Sequence, residues 1–173
     1  MKKAIVVVGV ALSCAVTLSA CRAAEQSFGV GDKVKDFKLK TPKGTAVPTA
    51  KFREGKVFLL KFGATWCGWC NKQVPHLNKV AEEYGKKVAV LDVDIKEGAD
   101  RVRAHNKKLG AKFVTVLDTK GIVAGKYGVR GIPLVIIADQ DGKIVYRGNY
   151  TPFQNFKKQI DPLLKGEEEK KAG

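Results

Sequence analysis

Cysteine and histidine are scarce in this chain: 173 residues hold four of the first and two of the second. A structural zinc site needs four thiolates or imidazoles at ligand spacing. Cys67 and Cys70 are close together, but no second pair follows, and His76 and His105 do not form a ligand pair. Internal repeats are absent as well. Acidic residues are few, 17 against 32 lysines and arginines, giving a formal net charge of +15. The lysines are dispersed along the chain, which describes a solvated surface; attraction to anionic lipid or acidic proteins is the weaker reading.

The N-terminus does carry a long apolar run. After Met1-Lys2-Lys3, residues 4–20 are interrupted only by Gly9, Ser13, Thr17 and Ser19. A short basic start, an apolar core and small residues at its end make an export signal. The run closes on Leu18-Ser19-Ala20-Cys21, which resembles a bacterial lipobox, so residues 1–20 are expected to leave and Cys21 to be lipidated. An uncleaved anchor and ordinary cleavage near Ala23-Ala24 remain as alternatives. Cys14 lies inside the discarded segment. The mature chain then keeps Cys21, Cys67 and Cys70, too few for a disulfide framework, and works where disulfides persist. Its charge falls to about +13 without Lys2 and Lys3, and export makes nucleic acid an unsuitable partner.

The remaining length suits one domain. Residues 21–31 read as a tether. Phe37 and Leu39 alternate with polar neighbours, Thr41-Pro42-Lys43-Gly44 forms a turn, and 45–47 returns, an N-terminal hairpin. Residues 57–62 read as a buried central strand. Val74, Leu77, Val80, Ala81 and Tyr84 follow a helical period that Gly85 stops, with a kink expected at Pro75. A strand over 88–95, a helix over 100–109 and a strand over 113–117 come next, then a weaker helix at 120–127. Residues 134–138 and 144–147 form a hairpin. Thr151 is expected to cap the last helix with Gln154, Pro152 taking its first position; Pro162 argues for a bend or early end. Residues 166–173 form a charged, flexible tail. Strands alternating with helices give an α/β fold, a central mixed sheet flanked by helices, with a β-α insertion around 100–117.

Trp66-Cys67-Gly68-Trp69-Cys70 stands between the central strand and the first long helix. A thiol there meets free backbone N–H groups and the positive helix end, which favour the thiolate. The thiolate is the species that attacks a disulfide.

With that motif, Pro75 and the segment Lys126-Tyr127-Gly128-Val129-Arg130-Gly131-Ile132-Pro133, the chain resembles the thioredoxin superfamily. The stretch Gly31-Asp32-Lys33-Val34-Lys35-Asp36-Phe37 and the extra helix and strand suit its TlpA/ResA-like, membrane-tethered branch. The resemblance covers about 28–164 and implies a thioredoxin-like fold over 32–165. It makes Cys67 the attacking thiol and Cys70 the resolving one, with Gly68 between them. Pro133 would follow Ile132 through a cis bond, presenting backbone to a target. Trp66 and Trp69 would form an apolar rim, core packing being the alternative for either. The family's buried aspartate, six residues before the first cysteine, is here Lys61, and its lysine partner aligns with Asp92. The pair is expected side by side beneath Cys70, unless Lys61 reaches the surface instead.

The implied activity is thiol–disulfide exchange on exported proteins, more reductase than oxidant, with apocytochrome c or metal-site cysteines as targets. No cofactor or metal is needed beyond the Cys67–Cys70 couple. The expected partners are exported protein thiols or disulfides, a membrane electron donor and the bilayer holding the anchor; the protein is expected to be monomeric. An oxidant of exported thiols is the runner-up, although the helical insertion of DsbA-like oxidants is missing. A non-catalytic binding or metallochaperone module is the third reading. A peroxidase is disfavoured because the cysteines form C-x-x-C.

Overall fold

The computed structural model describes residues 28–172, with side chains to residue 166. The leader 1–20, Cys21 and residues 22–27 of the tether lie outside the described residues, as do the side chains of the charged tail from 167 onward.

Hydrophobic continuity places the central strand. β3 (Val57–Gly63) is buried at every position, as a strand covered on both faces must be. It pairs in parallel with β4 (Val88–Ile95), which pairs in parallel with β5 (Val114–Asp118). On its other side β3 runs antiparallel to β6 (Leu134–Ala138), followed by β7 (Ile144–Gly148). The hairpin β1 (Lys38–Lys40) and β2 (Ala46–Pro48) joins β5 through Lys40 opposite Leu117, completing the order β2-β1-β5-β4-β3-β6-β7.

The two-residue period of β3 splits the core. Val57 and Leu59 face α2 (Gly68–Tyr84) and α5 (Phe153–Ala172), where Leu77, Val80, Phe156 and Ile160 are fully buried. Phe58, Leu60 and Phe62 face the other way, against Tyr127, Phe28 and Ile136. Each such side chain contributes about 1.5–3 kcal/mol through burial. Lys61 and Gly63 therefore share the face that α2 covers, at the strand end from which that helix starts. Asp92 stands opposite Lys61 and Asp94 opposite Gly63 in the parallel register.

Several local expectations need correction. The early end allowed at Pro162 does not occur, since α5 continues past it; Pro75 lies within the span of α2. A proline removes its own hydrogen bond to the preceding turn and crowds the carbonyl four residues back; Phe156 and Ile160, both fully buried, anchor the part of α5 that leads into Pro162. Thr151 does not cap α5: its hydroxyl donates to the Asn149 carbonyl at 2.8 Å and shares a 3.0 Å bond with the Tyr146 hydroxyl. A short helix, α1 (Thr49–Arg53), follows β2 where no periodic signal marked one. α3 (Ala99–Leu109) ends on Gly110 in the left-handed region, φ 61°, and α4 (Ile122–Lys126) is shorter than its pattern suggested.

Candidate active site around Cys67 and Cys70

β3 ends at Gly63, and residues 64–67 lead directly into α2. Cys67 is the N-cap of that helix, in extended conformation, and its sulfur accepts the Cys70 N–H at 3.1 Å. This is the position where unpaired amides and the helix dipole stabilise negative charge. Cys67 and Cys70 are joined in a disulfide, with Cα atoms 5.1 Å apart. Cys67 is the more accessible, 7% exposed against 1% for Cys70.

The loop before β6 closes the other side. Ile132-Pro133 is a cis peptide bond, and the Ile132 carbonyl oxygen lies 3.7 Å from the Cys67 sulfur. The turn following α4 thus brings together the two sequence segments that carried the resemblance.

Trp66 and Trp69 lie in solvent, at 71% and 56% exposure, with Gly68 exposed between them. Core packing is excluded for both. Trp69 tilts against Tyr150, ring centroids 5.2 Å apart, with the Lys72 ammonium 4.3 Å from its ring centre. The Tyr150 hydroxyl is 2.8 Å from His76 Nε2. Burial, reinforced by Lys79, pushes the His76 pKa down.

Beneath the dithiol lies a charged layer. Lys61 is 4% exposed and does not reach the surface; its ammonium is 2.8 Å from Asp92 Oδ1. A Cβ placed on Gly63 would be 2.5 Å from Lys61 Nζ and 3.1 Å from the Cys70 sulfur. The ammonium and the resolving sulfur therefore flank one small gap.

The sequence reading missed the acids next to that pair. Asp94 is buried, and its pKa is pushed up to about 8, first by burial and then by the charges of Glu97 and Asp92. Glu97 is held below the usual carboxylate range: burial opposes its charge, but the Thr65 N–H at 2.5 Å and hydroxyl at 2.7 Å outweigh it. Glu97, held by Thr65, in turn helps keep Asp94 in its neutral form. Glu97 thereby ties the end of β4 to the residue before Trp66. Asn71 donates to the Thr65 carbonyl at 3.1 Å and lies 2.9 Å from His105 Nε2. The strand period at Asp92 and Asp94 was the available signal for the first acid; nothing local marked Glu97. Among the described residues no group of three or more histidines, cysteines or carboxylates could hold a metal ion.

The AhpC/TSA family matches residues 30–147. The chain is 28% identical over 144 residues to the thiol-disulfide oxidoreductase ResA of Bacillus thuringiensis subsp. konkukian, covering 82% of this chain and 80% of that protein. It is 36% identical over 119 residues to the thioredoxin-like protein YneN of Bacillus subtilis, covering 66% and 68%. Among solved structures it is similar to a Chlorobium tepidum protein described as the thiol:disulfide interchange protein DsbE. That match has a TM-score of 0.73 and 29% identity, covering 80% of this chain and 99% of that one. On this evidence the chain belongs to the AhpC/TSA family, as a thioredoxin-like thiol–disulfide oxidoreductase of the ResA/DsbE type.

Proposed function

We propose that the protein reduces disulfides of exported polypeptides outside the cytoplasm, tethered to a membrane through lipidated Cys21. The observation that carries this reading is the seat of the Cys67 sulfur, on the α2 N-terminus and against the Ile132 carbonyl. In the reduced protein the Cys67 thiolate attacks one sulfur of the target disulfide, and the other target sulfur leaves and takes up a proton. Cys70 then loses its proton and attacks the Cys67 sulfur of the mixed disulfide, releasing the second target thiol. Two electrons pass to the target, and the Cys67–Cys70 disulfide remains. A membrane electron donor must return them. Extended target backbone pairs beside Ile132-Pro133, and Trp66 and Trp69 offer apolar surface to its side chains. Apocytochrome c and metal-site cysteines are the targets this reading favours.

The homologues' names support the exchange chemistry, and the leader pattern supports the location. No helix among the described residues is long and apolar enough to cross a membrane. Measuring the reduction potential of Cys67–Cys70 tests the direction. A value in the range of reducing thioredoxins, about −270 mV, is expected; one near the strong oxidant end, about −120 mV, overturns the reductase assignment.

A further inference from the structure

Trp69 stands between the two cysteines, whose Cα atoms are 5.1 Å apart, so the chain itself fixes its place beside the dithiol. An indole left alone in solvent samples several rotamers. Here the Tyr150 ring packs against it and the Lys72 ammonium lies over its face. Tyr150 comes from the link between β7 and α5, so a distant part of the chain braces a residue inside the redox motif.

Tyr150 is held in turn by His76, about two turns beyond Trp69 along α2. The two rings meet edge to face, centroids 5.6 Å apart, with the hydroxyl on Nε2. The other ring nitrogen settles the tautomer. Nδ1 accepts the Phe153 N–H at 3.3 Å, one of the donors that the start of α5 leaves without a partner inside the helix. A ring nitrogen that accepts carries no proton, so the hydrogen of the neutral imidazole is on Nε2 and is donated to Tyr150. His76 thus joins the start of α5 to Tyr150, and through it to Trp69.

Protonation undoes this arrangement, because a proton on Nδ1 faces the Phe153 N–H, donor against donor. The surrounding charges oppose it as well. Lys79 stands on the same helix and faces the Phe153 ring, which Lys157 of α5 also reaches, while Lys72 lies over Trp69. The carboxylates nearby on these two helices, Glu83 and Asp161, are engaged by Lys157.

We propose that Tyr150 and His76 are positioning residues for polypeptide targets, holding Trp69 in the orientation in which it receives the target's side chains. The proposal deepens the exchange reading above and rests on it for the ligand, a polypeptide with an apolar residue beside its cysteine. A side chain already ordered loses less freedom when the target binds, and only a target with side chains of its own gains from it.

Two disulfides separate this role from the chemistry. One is a blocked peptide with a leucine beside the cysteine and no titratable side chain; the other is hydroxyethyl disulfide, which has no side chain to offer Trp69. The second-order rate constant of the reduced protein is measured with each, and their ratio cancels the ionisation of Cys67. Tyr150→Leu is expected to lower the ratio about fivefold, the ordering of one aromatic side chain. Tyr150→Phe, which keeps the ring and loses only the hydroxyl, lowers it by a smaller factor. A wild-type ratio from both variants overturns the proposal.

The pH profile separates positioning from mere packing. In the wild type the ratio is expected to fall as the pH drops through the His76 pKa, which lies below the ordinary 6.5. His76→Gln, neutral throughout, is expected to give a ratio independent of pH. A flat wild-type profile, or the same fall in His76→Gln, overturns the role of His76. Calorimetric binding of the peptide's serine analogue keeps the two readings apart. If neither disulfide is reduced but Tyr150→Leu still weakens binding of the analogue, the positioning stands and the exchange reading falls.

Discussion

Lys61 and Asp92 form an ion pair across neighbouring parallel strands, 2.8 Å apart, both buried, with the ammonium and the Cys70 sulfur both beside Gly63. Removing one partner of such a pair leaves a buried charge without its compensation. Asp92→Ala is expected to destabilise the fold by about 3–5 kcal/mol and to lower the thiol pKa values, since the Lys61 field is no longer offset. Lys61→Met is expected to raise them. Thiol titration by absorbance at 240 nm checks both signs; a wild-type curve from Lys61→Met removes the pair from the redox chemistry.

Asp94 gives the protein a pH signature. Its folded pKa of about 8 lies above the ordinary value of 3.8. The native state therefore binds more protons than the unfolded chain between about pH 4 and pH 8, and stability falls as the pH rises through that window. Asp94→Asn keeps the neutral form at every pH and is expected to flatten this part of the profile. Urea unfolding at pH 5 and pH 8 is the measurement. An unchanged slope in the variant would show that Asp94 is charged when folded.

The two cysteines are expected to differ in their defects. Cys67→Ser abolishes exchange, whereas Cys70→Ser accumulates mixed disulfides through Cys67, because Cys67 combines the helix end with the greater exposure. Insulin reduction and non-reducing gels distinguish them. Mixed disulfides formed by Cys67→Ser would reverse the assignment.

Lipidation of Cys21 is checked by mass spectrometry of the membrane fraction, where an acylated N-terminal Cys21 is expected. Cys21→Ser should release the protein. An unmodified N-terminus downstream of Cys21 contradicts the anchor.

Much of the sheet was legible because β3, β4 and β6 are stretches of strand length dominated by apolar residues, and Gly85 and Gly110 mark where helices stop. The dithiol and Pro133 were legible because each sits in a local motif. Thr151 misled because its hydroxyl finds better partners in Asn149 and Tyr146 than in the helix it precedes. Glu97 was invisible for a different reason: its meaning comes from Thr65, 32 positions away.

The space over Gly63 has a consequence for how this sequence can vary. Gly63 needs no special backbone angle; what a side chain there would have to displace is the end of Lys61, 2.5 Å from where a methyl would stand. Alanine at 63 would push the ammonium off Asp92 and crowd the Cys70 sulfur. With a shorter residue at 61 the same alanine fits. Positions 61 and 63 are thus coupled in substitution: a short residue at the first leaves room for a side chain at the second, whereas lysine must give up its place beside Asp92 to admit one.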